Sequence, residues 1–359
     1  MGASPPPEGV LATIAAAEET RRKGVDWLAK RQSIPEMLPP EAPKLSPLLV
    51  TVDGEPIVDR EGWQRRRKEL RDEWLKLLGP LATQPRKLPK LRVLEEDIID
   101  NVIRQRVEYE CEPGLTTEGY LLTPQKLTGK VPGIVVFHST VDHSIRQPAG
   151  LEGVPEKWLG LRFAKEGFVT FSPRNFLWPT NEKIAAKQET ERFQARHPTS
   201  VGMAKMLYDA QLAVDILTAR PEVDPDRLGS IGHSLGAKEV LYLAAFDDRV
   251  KVTVSSEGGI GTKFSNWDAP WYLGPMINDP TWTREHHELL ALIAPRPFLL
   301  IGGNSADGDQ SWPFIKAALP LYRLLSETPP ALAFLNHNQS HTLPPTAEKH
   351  LGEWLHGFL

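Results

Sequence analysis

The run Leu228-Gly-Ser-Ile-Gly-His-Ser-Leu-Gly-Ala-Lys238 constrains this chain more than any other. A short apolar stretch leads into Gly232-His-Ser-Leu-Gly236, and a helix-forming segment, Ala237 to Phe246, follows. Gly-x-Ser-x-Gly between a strand and a helix is a nucleophile elbow. The turn is so tight that the serine takes strained dihedrals, and small residues on either side let the two backbones approach. Ser234 is then expected to project its hydroxyl above a sheet, with the helix N-terminus beneath it. The same five residues could also form an ordinary glycine-rich turn; the flanking strand and helix patterns favour the elbow.

Around that motif, strands and helices alternate from about residue 100. Strands are expected at Val102–Glu110, Glu118–Leu122, Gly133–His138, Val169–Ser172, Arg227–Gly232, Val250–Ser256, Phe298–Gly302 and Leu332–Asn336. Helices are expected at Lys157–Lys165, Ala204–Ala219, Ala237–Phe246, Asp309–Leu325 and Ala347–His356. Near-continuous apolar strands such as Gly133-Ile-Val-Val-Phe137 suit a sheet covered on both faces. The first two strands have no helix between them and read as an antiparallel hairpin at the edge. The fold class is therefore α/β: a mostly parallel, doubly wound sheet of about eight strands, with reacting groups at the strands' carboxyl ends. Residues 1–90 read as an N-terminal helical extension packed on the main domain, and 91–359 as that domain. In the extension, Trp63, Leu70, Trp74, Leu77 and Leu78 fall near one face of a helix that Gly79-Pro80 ends.

A net charge of -4 and a pI near 6.2 argue against nucleic acid or an anionic membrane as the main partner. No apolar run approaches the roughly 18 residues that a membrane span needs. The start, Met1-Gly-Ala-Ser-Pro-Pro-Pro, lacks the basic and apolar segments of a signal peptide, and the compartment stays open. The single cysteine, Cys111, lies in a strand and reads as a structural thiol. His286-His287 resembles a metal pair, but no further ligand stands at suitable spacing, so neither metal nor cofactor is expected.

A serine hydroxyl needs a base, and the base needs an orienting acid. With an elbow of this kind the chain order is Ser, acid, His. The base belongs in the loop before the final helix, Phe334-Leu-Asn-His-Asn-Gln-Ser-His-Thr342. His341 is preferred there, since His337 abuts the strand end. The acid stays divided between Asp307 and Asp309, in Gly302-Gly-Asn-Ser-Ala-Asp-Gly-Asp309, and Glu257, directly after Val250–Ser256. Glu257 could equally bind backbone amides of its glycine-rich loop. Oxyanion donors are expected from the Leu235 N–H and from Ser139 or Thr140, with His138 shaping that turn. Arg174, Trp178, Trp271 and Trp312 follow strands and are candidates for touching substrate; each is as readily a packing residue.

Gly232-His-Ser-Leu-Gly-Ala-Lys-Glu239, Ser255-Ser-Glu-Gly-Gly-Ile-Gly261, Leu289-Leu-Ala-Leu-Ile-Ala-Pro-Arg-Pro297 and Ser305-Ala-Asp-Gly-Asp309 together resemble a bacterial α/β-hydrolase group, acetyl xylan esterase-like or dienelactone hydrolase-like. The resemblance runs from about residue 60 to the end. The group is similar to glucuronoyl esterases, and that likeness implies Glu257 as the acid and Lys238 as a sugar-binding lysine. Leu235 stands where those enzymes usually carry an arginine, which argues against a glucuronoyl substrate and leaves ester hydrolysis intact. The chain thus reads as a serine esterase for small-molecule or carbohydrate esters, of undetermined oligomeric state. An amidase or peptidase using the same groups, and a non-catalytic binding module, are the alternatives.

Overall fold

A computed structural model describes residues 27–39, 43–179, 183–326 and 329–359. The first part of the expected extension, residues 1–26, lies outside the described residues. One sheet of nine strands forms the spine, in the order β1-β2-β3-β5-β4-β6-β7-β8-β9. Its members are β1 (Arg92–Ile99), β2 (Val102–Glu112), β3 (Leu115–Pro124), β4 (Val131–Phe137), β5 (Val169–Pro173), β6 (Val223–His233), β7 (Val250–Ser256), β8 (Phe298–Gly302) and β9 (Leu332–Asn336). From β5 through β9 all neighbours pair parallel; β1, β2 and β3 form an antiparallel edge that joins β5.

The helices are α1 (Arg60–Leu78), α2 (Leu159–Lys165), α3 (Ala186–Arg196), α4 (Gly202–Thr218), α5 (Leu235–Phe246), α6 (His287–Ile293), α7 (Trp312–Leu325) and α8 (Pro345–Phe358). Strand alternation sends successive side chains to opposite faces. In β8, Leu299 and Ile301 pack with α2 and α8 on one face, while Phe298 and Leu300 pack with α5, α6 and α7 on the other. That double covering is why the central strands read as unbroken apolar runs. No helix among the described residues is long and apolar enough to cross a membrane.

Three elements were not expected from the sequence: β1, α3 and α6. Strand β1 carries Glu95, Glu96 and Asp97 and is held on β2 by cross-strand pairs, Arg92 with Glu108 (2.6 Å), Arg106 with Glu95 (2.5 Å) and Arg104 with Asp97. Its charge density masks the period-2 pattern. Asp100 and Asn101, both at positive φ (48° and 64°), close the β1–β2 hairpin in two residues, the geometry of a type I′ turn.

Helix α1 docks through the stripe read from the sequence: Trp63, Leu70, Trp74 and Leu78 are buried. The Trp74 indole N–H donates to Glu288 of α6 (2.7 Å). Arg71 donates to the carbonyls of Ala245 (3.1 Å) and Phe246 (2.7 Å), capping the C-terminal end of α5 with positive charge.

Candidate active site

Strand β6 turns into α5 at Ser234, which sits at φ 61°, ψ -115°. Dihedrals of this kind cost a non-glycine residue about 1–3 kcal/mol and persist only where the surroundings impose them. Here the surroundings are steric. A Cβ on Gly232 would lie 2.2 Å from the Gly236 carbonyl carbon and oxygen, and a Cβ on Gly236 would lie 2.6 Å from the Phe137 oxygen. The Ser234 N–H donates to the Ser256 carbonyl (2.8 Å), pinning the bend to the end of β7.

Ser234 opens into a cavity of ≈ 360 Å³ bordered by Thr140, Leu235, Lys238, Glu257, Tyr272 and His341, among others. His341 arrives from the loop after β9. That loop is anchored on the turn after β8, where the His337 N–H donates to Gly302 (2.8 Å) and the Ser340 N–H to Gly303 (2.6 Å). Nδ1 of His341 lies 3.8 Å from Oε2 of Glu257, whose side chain is fully buried while that of His341 is 39% exposed. The ring of His233 packs 4.6 Å from that of His341, and its Nδ1 meets the Ser256 hydroxyl (3.1 Å).

The three candidate acids occupy different places. Glu257 follows β7 at positive φ (57°), and its Oε2 accepts the amides of Ala306 (2.8 Å) and Asp307 (3.1 Å). Asp307 turns the other way and accepts the amides of Gly259 and Ile260 (both 2.7 Å) and the Ser311 hydroxyl (2.9 Å). The loops after β7 and β8 are thus latched by an exchange: each lends a carboxylate to the other's backbone. Burial pushes Asp307 up to about 6, against those amides. Asp309 is exposed and accepts from the Asn336 side chain (3.0 Å). Only Glu257 of the three borders the cavity with His341.

Of the oxyanion candidates, the Ser139 N–H is already donated to the Gln147 side chain (3.1 Å), while Thr140 and Leu235 border the cavity. Lys238, one turn into α5, also reaches it: Nζ donates to the Gly258 carbonyl (2.6 Å) and stands 4.0 Å from the Trp267 ring centre and 5.1 Å from that of Tyr272. Burial lowers its pKa to about 7, opposed by nearby Asp307.

The other substrate candidates lie elsewhere. Arg174 is buried in an ion pair with Glu118 (2.8 Å) and, with Trp178, borders a separate cavity of ≈ 290 Å³. Backbone atoms of Trp271 press against Gly202 at the start of α4, and Trp312 packs edge-on against Phe334. Residues of the cavity wall not singled out in the sequence are Phe264, Ser265, Asn266, Tyr272, Ser305 and Ala306. They follow the same strands as Glu257 and Asp307; the apparent signal, a strand followed by a glycine-rich loop, gave no way to choose among polar loop residues.

His286 and His287 are packing residues. The His286 Nδ1–H donates to Ile260 (2.9 Å) and its Nε2 accepts from Tyr242 (2.9 Å), while His287 contacts the Ser46 carbonyl (3.0 Å). Among the described residues no group of three or more His, Cys, Asp or Glu side chains is placed to hold a metal. Cys111 is buried, and desolvation raises its thiol to about 12.

The dienelactone hydrolase family matches residues 117–276, from β3 through the loop that follows the elbow helix and β7. YtaP of Bacillus subtilis (strain 168), named a hydrolase, is 28% identical over 254 residues, 66% of this chain and 80% of that protein. The 4-O-methyl-glucuronoyl methylesterase 1 of Sodiomyces alcalophilus is 26% identical over 166 residues, 37% of this chain and 33% of its own. A solved glucuronoyl esterase from Solibacter usitatus superposes with a TM-score of 0.68 over 90% of this chain and 99% of its own, at 17% identity. With the nine-stranded sheet and its elbow, these likenesses show the α/β-hydrolase fold.

Proposed function

We propose that the protein is a serine carboxylic-ester hydrolase working through an acyl-enzyme, on short-acyl or carbohydrate esters. The observation that carries this is the strained Ser234 opening into one cavity with His341, whose Nδ1 stands 3.8 Å from the buried Glu257. In this reading Ser234 Oγ attacks the ester carbonyl as His341 Nε2 takes its proton. Glu257 holds the imidazole by Nδ1–H and stabilises the imidazolium; at 3.8 Å the pair is looser than a hydrogen bond and tightens as substrate enters. The Leu235 N–H is one oxyanion donor. With the Ser139 amide already engaged, the Thr140 N–H is the second. Protonated His341 then gives its proton to the leaving alcohol, and a water activated by the same ring releases the acyl group.

A carbohydrate ester is favoured by the other residues that line the cavity. Ser265, Asn266 and Ser305 offer hydrogen-bonding groups beside Tyr272 and Phe264, and Lys238, when charged, keeps donors beyond its bond to Gly258. The names of the Sodiomyces and Solibacter proteins support the same class.

The test is Ser234→Ala, assayed on acetyl to octanoyl p-nitrophenyl esters, acetylated xylan and methyl glucuronate, with fluorophosphonate labelling alongside. The expected loss is about 10⁴-fold or more in kcat, with labelling abolished. A variant that keeps most of its activity on every ester it shares with the wild type overturns the reading.

A further inference from the structure

The turn bearing Thr140 leaves β4 through His138, which is 1% exposed. Nε2 of His138 accepts the backbone N–H of Asn175 (3.2 Å). A peptide N–H can only donate, so Nε2 is bare and Nδ1 carries the hydrogen, donated to the Ser139 carbonyl (2.8 Å). The ring stays neutral: burial lowers its pKa to about 4. Trp178 closes over it edge-on, with centroids 4.7 Å apart.

Asn175 is itself buried, on the segment after β5, and its side chain is used at both ends. Its Oδ1 accepts the Leu177 N–H (3.0 Å) and its Nδ2 donates to Glu239 Oε1 (3.0 Å). Glu239 is 3% exposed and lies on α5, the helix that begins at Ser234. Its Oε2 is buried with no hydrogen-bond partner among the described residues. A continuous path therefore runs from the elbow helix through Glu239, Asn175 and His138 to the Ser139–Thr140 turn.

We propose that Asn175 and Glu239 are positioning residues for the ester reaction, tying the turn at Ser139–Thr140 to the helix that carries Ser234. The proposal rests on the reading of Ser234 and Thr140 given above. An oxyanion hole works when its donors are fixed before charge develops, so two donors on separate elements need a rigid link. Asn175 supplies it where three segments meet: the turn after β4, the segment after β5 and α5.

The link holds with Glu239 as the neutral acid. Its carbonyl oxygen accepts from Asn175, and burial pushes the carboxyl up to about 8, with Asn175 pulling it down and Asp209 of α4 pushing it further up. Asp209 is paired with Lys205 (2.6 Å), and Tyr109 of β2 and Tyr272 of the cavity wall are the other titratable groups that sense Glu239. Ionisation places an unshared negative charge among buried groups, where it opposes a developing oxyanion. The sign for stability follows: with the folded pKa raised, Glu239's contribution is full below the ordinary carboxyl range and is lost as pH climbs through about 8. Burial also lowers Lys238 to about 7, but it borders the cavity, where a change in its charge is expected to act on KM.

The experiment measures kcat and KM separately for p-nitrophenyl acetate between pH 6 and 10, with melting curves at each pH, on wild type, Glu239→Gln, Glu239→Ala and Asn175→Ala. Glutamine keeps the acceptor and cannot ionise. Its kcat at pH 7 is expected within about twofold of wild type, and the fall of wild-type kcat above pH 8 disappears. The two alanine variants are expected to lose about 10- to 100-fold in kcat, with KM within about threefold. An alkaline fall in Glu239→Gln identical to that of wild type overturns the proposal, as does a wild-type kcat in folded Glu239→Ala or a loss confined to KM. If an alanine variant does not fold, the glutamine pH profile alone decides. The Ser234→Ala result tests the underlying reaction independently, so its failure is distinct from failure of the link.

Discussion

The centre of the sheet and its antiparallel edge are built on opposite principles. Around β6 and β7, position is enforced by backbone contact: Gly232 against Gly236, Gly236 against Phe137, Ser234 hydrogen-bonded to Ser256. At β1 and β2 it is enforced by side-chain charge, with Arg92, Arg104 and Arg106 each meeting a carboxylate across the strands. Contacts of the first kind leave no room for substitution, and this is where the strained Ser234 is held. Contacts of the second kind are individually weak in water, yet together they cover an exposed edge with charge and keep it from pairing with another chain. The contrast teaches where precision is needed: geometry at the elbow is made by sterics, and the edge of the sheet is held by electrostatics.

The two latched carboxylates sharpen that contrast within the centre itself. Glu257→Gln is expected to lower kcat by about 10²- to 10⁴-fold with little change in melting temperature, since a glutamine still accepts the Ala306 and Asp307 amides but cannot stabilise an imidazolium. Asp307→Asn is expected to do the reverse: a stability loss of about 1–3 kcal/mol in denaturant, with kcat falling less than about tenfold, because two buried amides lose a carboxylate. Equal kinetic losses in the two variants would erase the distinction.

Gly236→Ala probes the steric half. A methyl 2.6 Å from the Phe137 oxygen must move β4 or α5, at a cost of about 3 kcal/mol or more by chemical denaturation. Arg92→Ala probes the electrostatic half, where a change of about 0–1 kcal/mol that shrinks further in 0.5 M salt is expected. A large effect at Arg92, or a small one at Gly236, would break the comparison.

The same division explains what was legible in the sequence. Steric requirements leave a signature in residue type: the glycines and serine of the elbow, and the apolar runs of β4, β7 and β8, whose bounds agree with the expected strands to within a few residues. Charge requirements do not, because Arg, Glu and Asp serve helices and strands alike, so β1 and α3 were not foreseen. The Asp100-Asn101 pair was the one local sign of a hairpin before β2. Within the site, sequence named the loops that border the cavity but divided the acid among Glu257, Asp307 and Asp309. Their difference lies in which groups each carboxylate faces, and that depends on how two loops from neighbouring strands fold onto each other. Tryptophans following strands gave the weakest guide: Trp178, Trp271 and Trp312 are engaged by His138, Gly202 and Phe334, away from the cavity that holds Ser234.

Arg71 closes one end of α5 while Ser234 opens the other. The rod that carries the proposed nucleophile is therefore seated on a segment more than a hundred residues upstream. Trimming the chain to begin at residue 91 would strip that seat, uncover Tyr242 of α5 where Trp74 meets it edge-on, and leave the Glu288 carboxylate with Arg284 (3.2 Å) but without the Trp74 donor. What a domain diagram would draw as a dispensable appendage is, in mechanical terms, the footing of the helix that begins at Ser234.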